Sequence, residues 1–200
     1  LIVSSSPHQR TMVSTPLIMS DVILALMPAS LAGVWFFGFR ALAMMAVCVA
    51  AAVGTEALLE KLAAKPVTVG DYSAAVAGLL LALVLPPDLP LWMAAAGAIF
   101  SMSIAKFIFG GLGQNIFNPA LIGRATLLAS WPVFMTSWRW PIFDAPWVHG
   151  LDAASSATPA AFDAITTATP LALMRFSGIK TPYMNLFLGN VAGCIGETSA

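Results

Sequence analysis

The sequence predicts an all-α polytopic membrane protein, a transmembrane helix bundle in which some helices are short or broken. Two observations about composition carry this: 59% of the 200 residues are apolar and only 9% are charged. A third is placement, because the charges gather between long charge-free runs such as Val22 to Phe39, Tyr72 to Pro87 and Leu89 to Ala105. One soluble domain could not cover so apolar a chain with a polar surface. Nine basic and nine acidic residues cancel, so no global basic surface points to nucleic acid.

The elements follow in order. Residues 1–19 form a short polar arm, since LIVSSSPHQR lacks the basic start, apolar core and small-residue cleavage site of a signal peptide. Five spans fill 20–136, with approximate limits 20–39, 41–59, 72–87, 90–109 and 119–136. A span needs roughly 20 mostly apolar residues, with a lower range near 17, and a terminal charge can snorkel. A long polar segment occupies 137–182, and 183–200 begins a sixth span that runs to Ala200 with Glu197 in its final turn. The chain therefore reads as the N-terminal part of a longer one.

Orientation rests on EKLAAK, Glu60 to Lys65, whose two lysines beside the end of the second span mark the cytoplasmic side. The N-terminal arm with Arg10, and the connection flanked by Lys106 and Arg124, then lie on the same side. Both Lys106 and Arg124 are expected to snorkel to that surface. The segment from about Thr136 to Pro182 faces outwards, towards the periplasm of a bacterial inner membrane. Loops this long without regular structure are usually functional or disordered.

Two segments break the helical pattern. LPPDLP, after the third span, sets three prolines in five residues and stops the helix. FGGLGQNIFNPALIGRA, Phe109 to Ala125, joins the fourth and fifth spans, and its Gly110, Gly111 and Gly113 permit unusual backbone angles while Asn115 and Asn118 can satisfy exposed backbone groups. Irregular backbone at membrane depth survives only when buried in protein or lining a polar cavity, which makes Gly110 to Pro119 a candidate site wall. The same residues also fit a surface turn followed by a helix with Asn118 as N-cap and Pro119 at its first position. Neither dinucleotide-binding nor P-loop spacing occurs there. No residue stands out as catalytic. Cys48 and Cys194 lie in different spans without a second ligand at metal spacing, and read as small buried residues; an iron site shared with another chain is the alternative.

Five stretches together carry a family resemblance: SSSPH at Ser4 to His8, GGLGQNIFNPALIG at Gly110 to Gly123, MTSW at Met135 to Trp138, DAITTATPL at Asp163 to Leu171, and GNVAGCIGETSA at Gly189 to Ala200. They resemble the D subunits of Rnf complexes, ion-translocating ferredoxin:NAD oxidoreductases. The B subunits of sodium-translocating NADH:quinone reductases are similar in the glycine-asparagine run and the flavin motif. The resemblance implies a helical subunit related to urea and ammonium transporters, represented here by about its first half.

It also implies a covalent flavin. The family motif is approximately Asp-x-x-Ser/Thr-Gly-Ala-Thr, with FMN esterified through its phosphate to the last Thr. It matches Asp163, Thr166, Ala168 and Thr169, followed by Pro170, while Thr167 stands where Gly is usual. Thr169 is the implied attachment site. DAASSATPA upstream makes Thr158 a rival, disfavoured because Leu171 follows Pro170 as in the family. A noncovalent riboflavin, with Gly110 to Pro119 as its wall, is a further implication. Implied partners are the other membrane and peripheral Rnf subunits, including a second flavin-bearing one, and a flavin transferase for maturation. The expected role is electron transfer in a redox-driven ion translocase. The alternatives are the quinone-reductase B subunit, a flavin-free solute transporter or channel suggested by the broken spans, and a structural scaffold.

Overall fold

The computed structural model describes residues 13–138, 170–178, 180–181, 183–189 and 191–196. The described residues form helices and turns without a strand. Helix α1 spans Thr15–Phe37 and α2 Phe39–Leu62; both are long and apolar enough to cross a membrane. At 1.5 Å per residue the 24 residues of α2 extend about 36 Å, more than the hydrocarbon core requires. Outward-facing Leu24, Leu31 and Trp35 on α1, and Leu58 and Leu62 on α2, give these helices an apolar surface that lipid solvates and water does not. The chain is a helical membrane protein.

The turn between α1 and α2 is a single residue. Gly38 has φ 69° and donates its N–H to Val34 O at 2.8 Å, closing α1 and opening α2 at once. The buried face of α2 is Ala41, Met44, Met45, Cys48, Ala52, Glu56 and Glu60, a 3–4 residue repeat that begins apolar and ends in carboxylates. Helix α3, Ser73–Leu83, packs closely on its middle: a Cβ on Gly78 would stand 2.8 Å from Cys48 O and 2.9 Å from Val49 Cα. Small residues at such crossings let backbones approach where lipid supplies no hydrophobic driving force.

Helix α4, Leu91–Phe100, continues as a π-helical segment, Ser101–Phe107, in which Ile108 N–H reaches Ser103 O and Gly111 N–H reaches Lys106 O. Helix α5, Pro119–Ser130, crosses it where a Cβ on Gly123 would meet Gly97 O at 2.9 Å, and Ser101 Oγ donates to Pro119 O at 2.7 Å. Short helix α6, Pro132–Met135, follows a break at Trp131, whose ring meets Trp92 edge-on at 5.4 Å. Helices α7, Pro170–Ser177, and α8, Tyr183–Leu188, complete the described elements.

Three expected spans are divided or shortened. Helix α3 stops at Leu83, and Leu85, Pro86, Pro87 and Leu89 are buried as irregular chain. The fifth expected helix is split by Pro132 into α5 and α6. In the segment 183–200, expected to begin a sixth span, the described residues are helical over Tyr183–Leu188, while Val191 to Gly196 is irregular and returns to the end of α3. The reason is backbone hydrogen bonding. Carbonyls freed by the prolines need donors, and Ile195 N–H serves Leu85 O at 3.2 Å while Gly196 N–H serves Leu83 O at 2.8 Å. Leu89 N–H serves Pro86 O at 3.3 Å, and Arg40 donates to the two carbonyls after it, with Nε to Pro87 O at 3.1 Å and Nη2 to Asp88 O at 2.9 Å.

Candidate functional site

The C-terminal end of α2, the start of α3 and the π segment after α4 converge on one group of charges. Glu56 continues the buried stripe of Cys48 and Ala52 by one further turn, so helix periodicity alone points it inward. Lys106 does the same on its own element, following Ala94, Ala98 and Met102 at four-residue intervals. Both residues are 5% exposed. Lys106 Nζ donates to Glu56 Oε1 and to Ser73 Oγ. Ser73 Oγ in turn donates to Asp71 Oδ1 at 2.5 Å, and Ser73 N–H donates to the same oxygen at 2.8 Å.

The local backbone is shaped for this chain of contacts. A single 3-10 turn, Val69–Asp71, precedes α3, and Tyr72 between Asp71 and Ser73 has φ 61°. A left-handed conformation at a residue bearing a large side chain costs about 1–3 kcal/mol and persists only where the surroundings fix it. Here it sets Asp71 as a side-chain cap on Ser73 N–H, and Ser73 at the head of α3 towards Lys106. One turn further along α2, Glu60 is 9% exposed and accepts from Thr68 N–H at 2.8 Å and from Thr68 Oγ1.

One atom of the cluster stands out. Glu56 Oε2 is buried and has no hydrogen-bond partner among the described residues. Glu56 is also one wall of a cavity of about 20 Å³, with Glu60, Met102, Lys106, Phe107 and Gly111 as the others. Lys65 Nζ lies 5.2 Å from the centre of the ring of Phe107, one of these wall residues.

Snorkelling of Lys106 to the surface is thereby corrected. The π-helical widening and the buried stripe turn its side chain towards α2, where a carboxylate and a hydroxyl replace water. Arg124 is partly buried on α5. Sequence reasoning missed Glu56, although its place on the apolar face of α2 was a readable signal.

The Gly110 to Pro119 segment is a turn leading into a capped helix. Gly110, Gly111 and Gly113 have φ of 108°, 107° and 86°, so glycine is required there by the backbone. Asn118 Oδ1 accepts from Ala120 N–H at 3.0 Å with Pro119 at the first helical position, the second of the two arrangements the sequence allowed. Asn115 Nδ2 donates to Phe117 O at 3.1 Å. The turn exposes Leu112, Ile116 and Phe117.

Asp163, Thr166, Thr167, Ala168 and Thr169, and the rival Thr158, lie outside the described residues; Pro170 opens α7. Beside it is an open, mainly apolar cavity of about 360 Å³ bordered by Pro170, Leu171, Met174, Lys180 and Tyr183 among others. Cys48 and Cys194 are both buried and form no disulfide, and among the described residues no group of three or more His, Cys, Asp or Glu could hold a metal ion.

Comparison with known proteins extends over the whole of this arrangement. The D subunit of the Na(+)-translocating ferredoxin:NAD(+) oxidoreductase complex of Acetobacterium woodii is 47% identical over 205 residues, covering 100% of this chain and 58% of that protein. The D subunit of the proton-translocating ferredoxin:NAD(+) oxidoreductase complex of Clostridium ljungdahlii is 45% identical, covering 98% of this chain and 58% of that protein. The D subunit of the ion-translocating oxidoreductase complex of Rhodobacter capsulatus is 36% identical, covering 98% and 59%. The chain thus spans a little under three fifths of the length of these curated relatives. The sequence profile of the NQR2, RnfD, RnfE family matches residues 2–200, and the chain belongs to that family.

Proposed function

We propose that the chain is part of a membrane electron-transfer subunit of an ion-translocating ferredoxin:NAD oxidoreductase, with FMN held covalently at Thr169. The observation that carries this reading is identity of 47% and 45%, across essentially the whole chain, to the D subunits of two ferredoxin:NAD complexes. Such a subunit has no complete reaction alone. It works with the other membrane and peripheral subunits, one of them also flavin-bearing, and needs a flavin transferase for maturation. The subunit would cross the bacterial inner membrane several times, with the 137–182 segment on the periplasmic side and the lysines of 60–65 in the cytoplasm.

The residues around α7 suit the group. Thr169 directly precedes a helix that opens with Pro170, and a phosphate there would lie near backbone N–H groups left unpaired at the helix start. A cavity of about 360 Å³ falls within the size range of small-molecule sites, and its apolar walls suit an aromatic ring. FMN, when bound, supplies the capacity to accept and release electrons. The Thr169 hydroxyl would anchor the phosphate, while Met174 and Tyr183 would shield the ring and the Lys180 ammonium would offset negative charge. A noncovalent riboflavin would use the Gly110 to Asn118 turn, where Leu112, Ile116 and Phe117 are exposed and apolar.

The test is flavin fluorescence of the denatured protein in a gel after production with an active flavin transferase. Fluorescence should vanish in Thr169→Ala and persist in Thr158→Ala. Loss only in Thr158→Ala would move the tether upstream, and a dark wild-type band would remove the covalent flavin. Quinone reduction by the assembled complex would favour the quinone-reductase alternative.

A further inference from the structure

Glu56 and Lys106 are more than is needed to hold three helices together. A buried ion pair gives little net stability relative to apolar side chains of the same volume, because both charges must be desolvated. Ionisable groups within a membrane segment are expensive and usually serve ion or proton movement. Here Glu56, Glu60 and Asp71 set three carboxylates against the one Lys106 ammonium at the centre. The groups facing Glu56 come from each neighbouring element. They are Glu60 on α2, Asp71 on the 3-10 turn, Ser73 on α3 and Lys106 on the π segment, with Lys65 over the ring of Phe107. Asp21 on α1 is exposed, and Arg124 is the charged residue of α5.

Glu56 has one oxygen committed to Lys106 and one buried oxygen without a hydrogen-bond partner among the described residues, and the residue lines a cavity with room for about one water. A metal cation fits this arrangement poorly. The ammonium already occupies the centre of positive charge, bonded to Glu56 Oε1 and Ser73 Oγ, and a second cation beside it would be repelled in a poorly solvated site. A proton is the ligand that needs no vacant coordination shell.

We propose that Glu56 is the loading point of a buried proton-exchange site, supplied through one water in the adjoining cavity and held in register by Lys106, Ser73 and Asp71. This rests on the reading that the chain serves an ion-translocating complex. In the loading step a proton carried by water passes to Glu56 Oε2. One O–H bond breaks on the water-borne carrier, one forms on the carboxylate, and no electron moves. Neutral Glu56 then holds Lys106 less strongly, and the ammonium keeps its link through Ser73 to Asp71. Unloading reverses the step.

Infrared difference spectroscopy of the complete complex in membranes tests this, following the carboxylic-acid C=O stretch during a pH titration in H₂O and in D₂O. Wild type should show a titrating band that shifts in D₂O and is lost in Glu56→Gln, while Lys106→Arg moves its midpoint. Retention of the band in Glu56→Gln overturns the proposal, and so does its absence from wild type. A band that responds to sodium chloride at fixed pH overturns it in favour of a metal cation. If Glu56→Gln fails to assemble, Glu56→Gln with Lys106→Gln removes both charges and must lose the same band. Flavin fluorescence of the same sample reports on the redox reading separately, so a Glu56 band without flavin leaves the proton site standing.

Discussion

At the Arg40 end of α2, a charged side chain meets bare backbone carbonyls; at the Glu56 end, charged side chains meet one another. The first region repairs a break. The prolines after α3 free carbonyls, and Arg40 serves Pro87 O and Asp88 O while its own side chain remains 51% exposed, with Asp88 Oδ1 at 3.7 Å. Its charge stays partly in water, so its desolvation cost is small. The second region buries Lys106 and Glu56 together, about 24 Å further along α2 by helix rise. Arg40 has a structural task that explains it. The Glu56–Lys106 pair has a desolvation cost that packing alone does not explain.

The largest test of this contrast is Lys106→Met. Leaving Glu56 buried without its cation should lower stability by about 3–5 kcal/mol, read as thermal unfolding in detergent. Adding Glu56→Met should recover most of that loss. A double variant as unstable as the single one would show that the pair is retained for stability after all. Arg40→Ala should cost less, about 1–2 kcal/mol, because water can reach part of the site and replace the lost donors. An effect as large as that of Lys106→Met would erase the distinction between the two ends. Smallest is Asn118→Ala, which removes the side-chain cap of α5 and should cost about 1 kcal/mol in the same measurement.

Much of this was legible in the sequence, through local chemistry. Charge-free runs located α1 and α2, the prolines of LPPDLP located the break after α3, and Asn118-Pro119 marked the start of α5. Long-range pairing was harder to read. Lys106 looked like a snorkelling cation because its position was judged by distance from the end of a span, whereas the four-residue interval from Met102 pointed it inward. Glu56 carried the same signal on α2, but its partner Lys106 is 50 residues away. The end of the chain misled for a related reason. Val191 to Gly196 has the apolar composition of a span, while its backbone donors are needed at Leu83 and Leu85. The flavin motif was legible only through resemblance, since Thr, Asp and Pro are ordinary turn residues by composition.

The pairing of Ile195 and Gly196 with Leu85 and Leu83 also bears on the order of assembly during synthesis. The broken end of α3 is made roughly a hundred residues before the donors that complete it. Until they emerge, those carbonyls must be served by water, by the insertion machinery or by transient contacts, since hydrocarbon offers them nothing. Final docking of the third helix therefore waits for residues made about a hundred positions later, and a ribosome stalled before residue 195 would leave the early helices inserted but this junction unsealed.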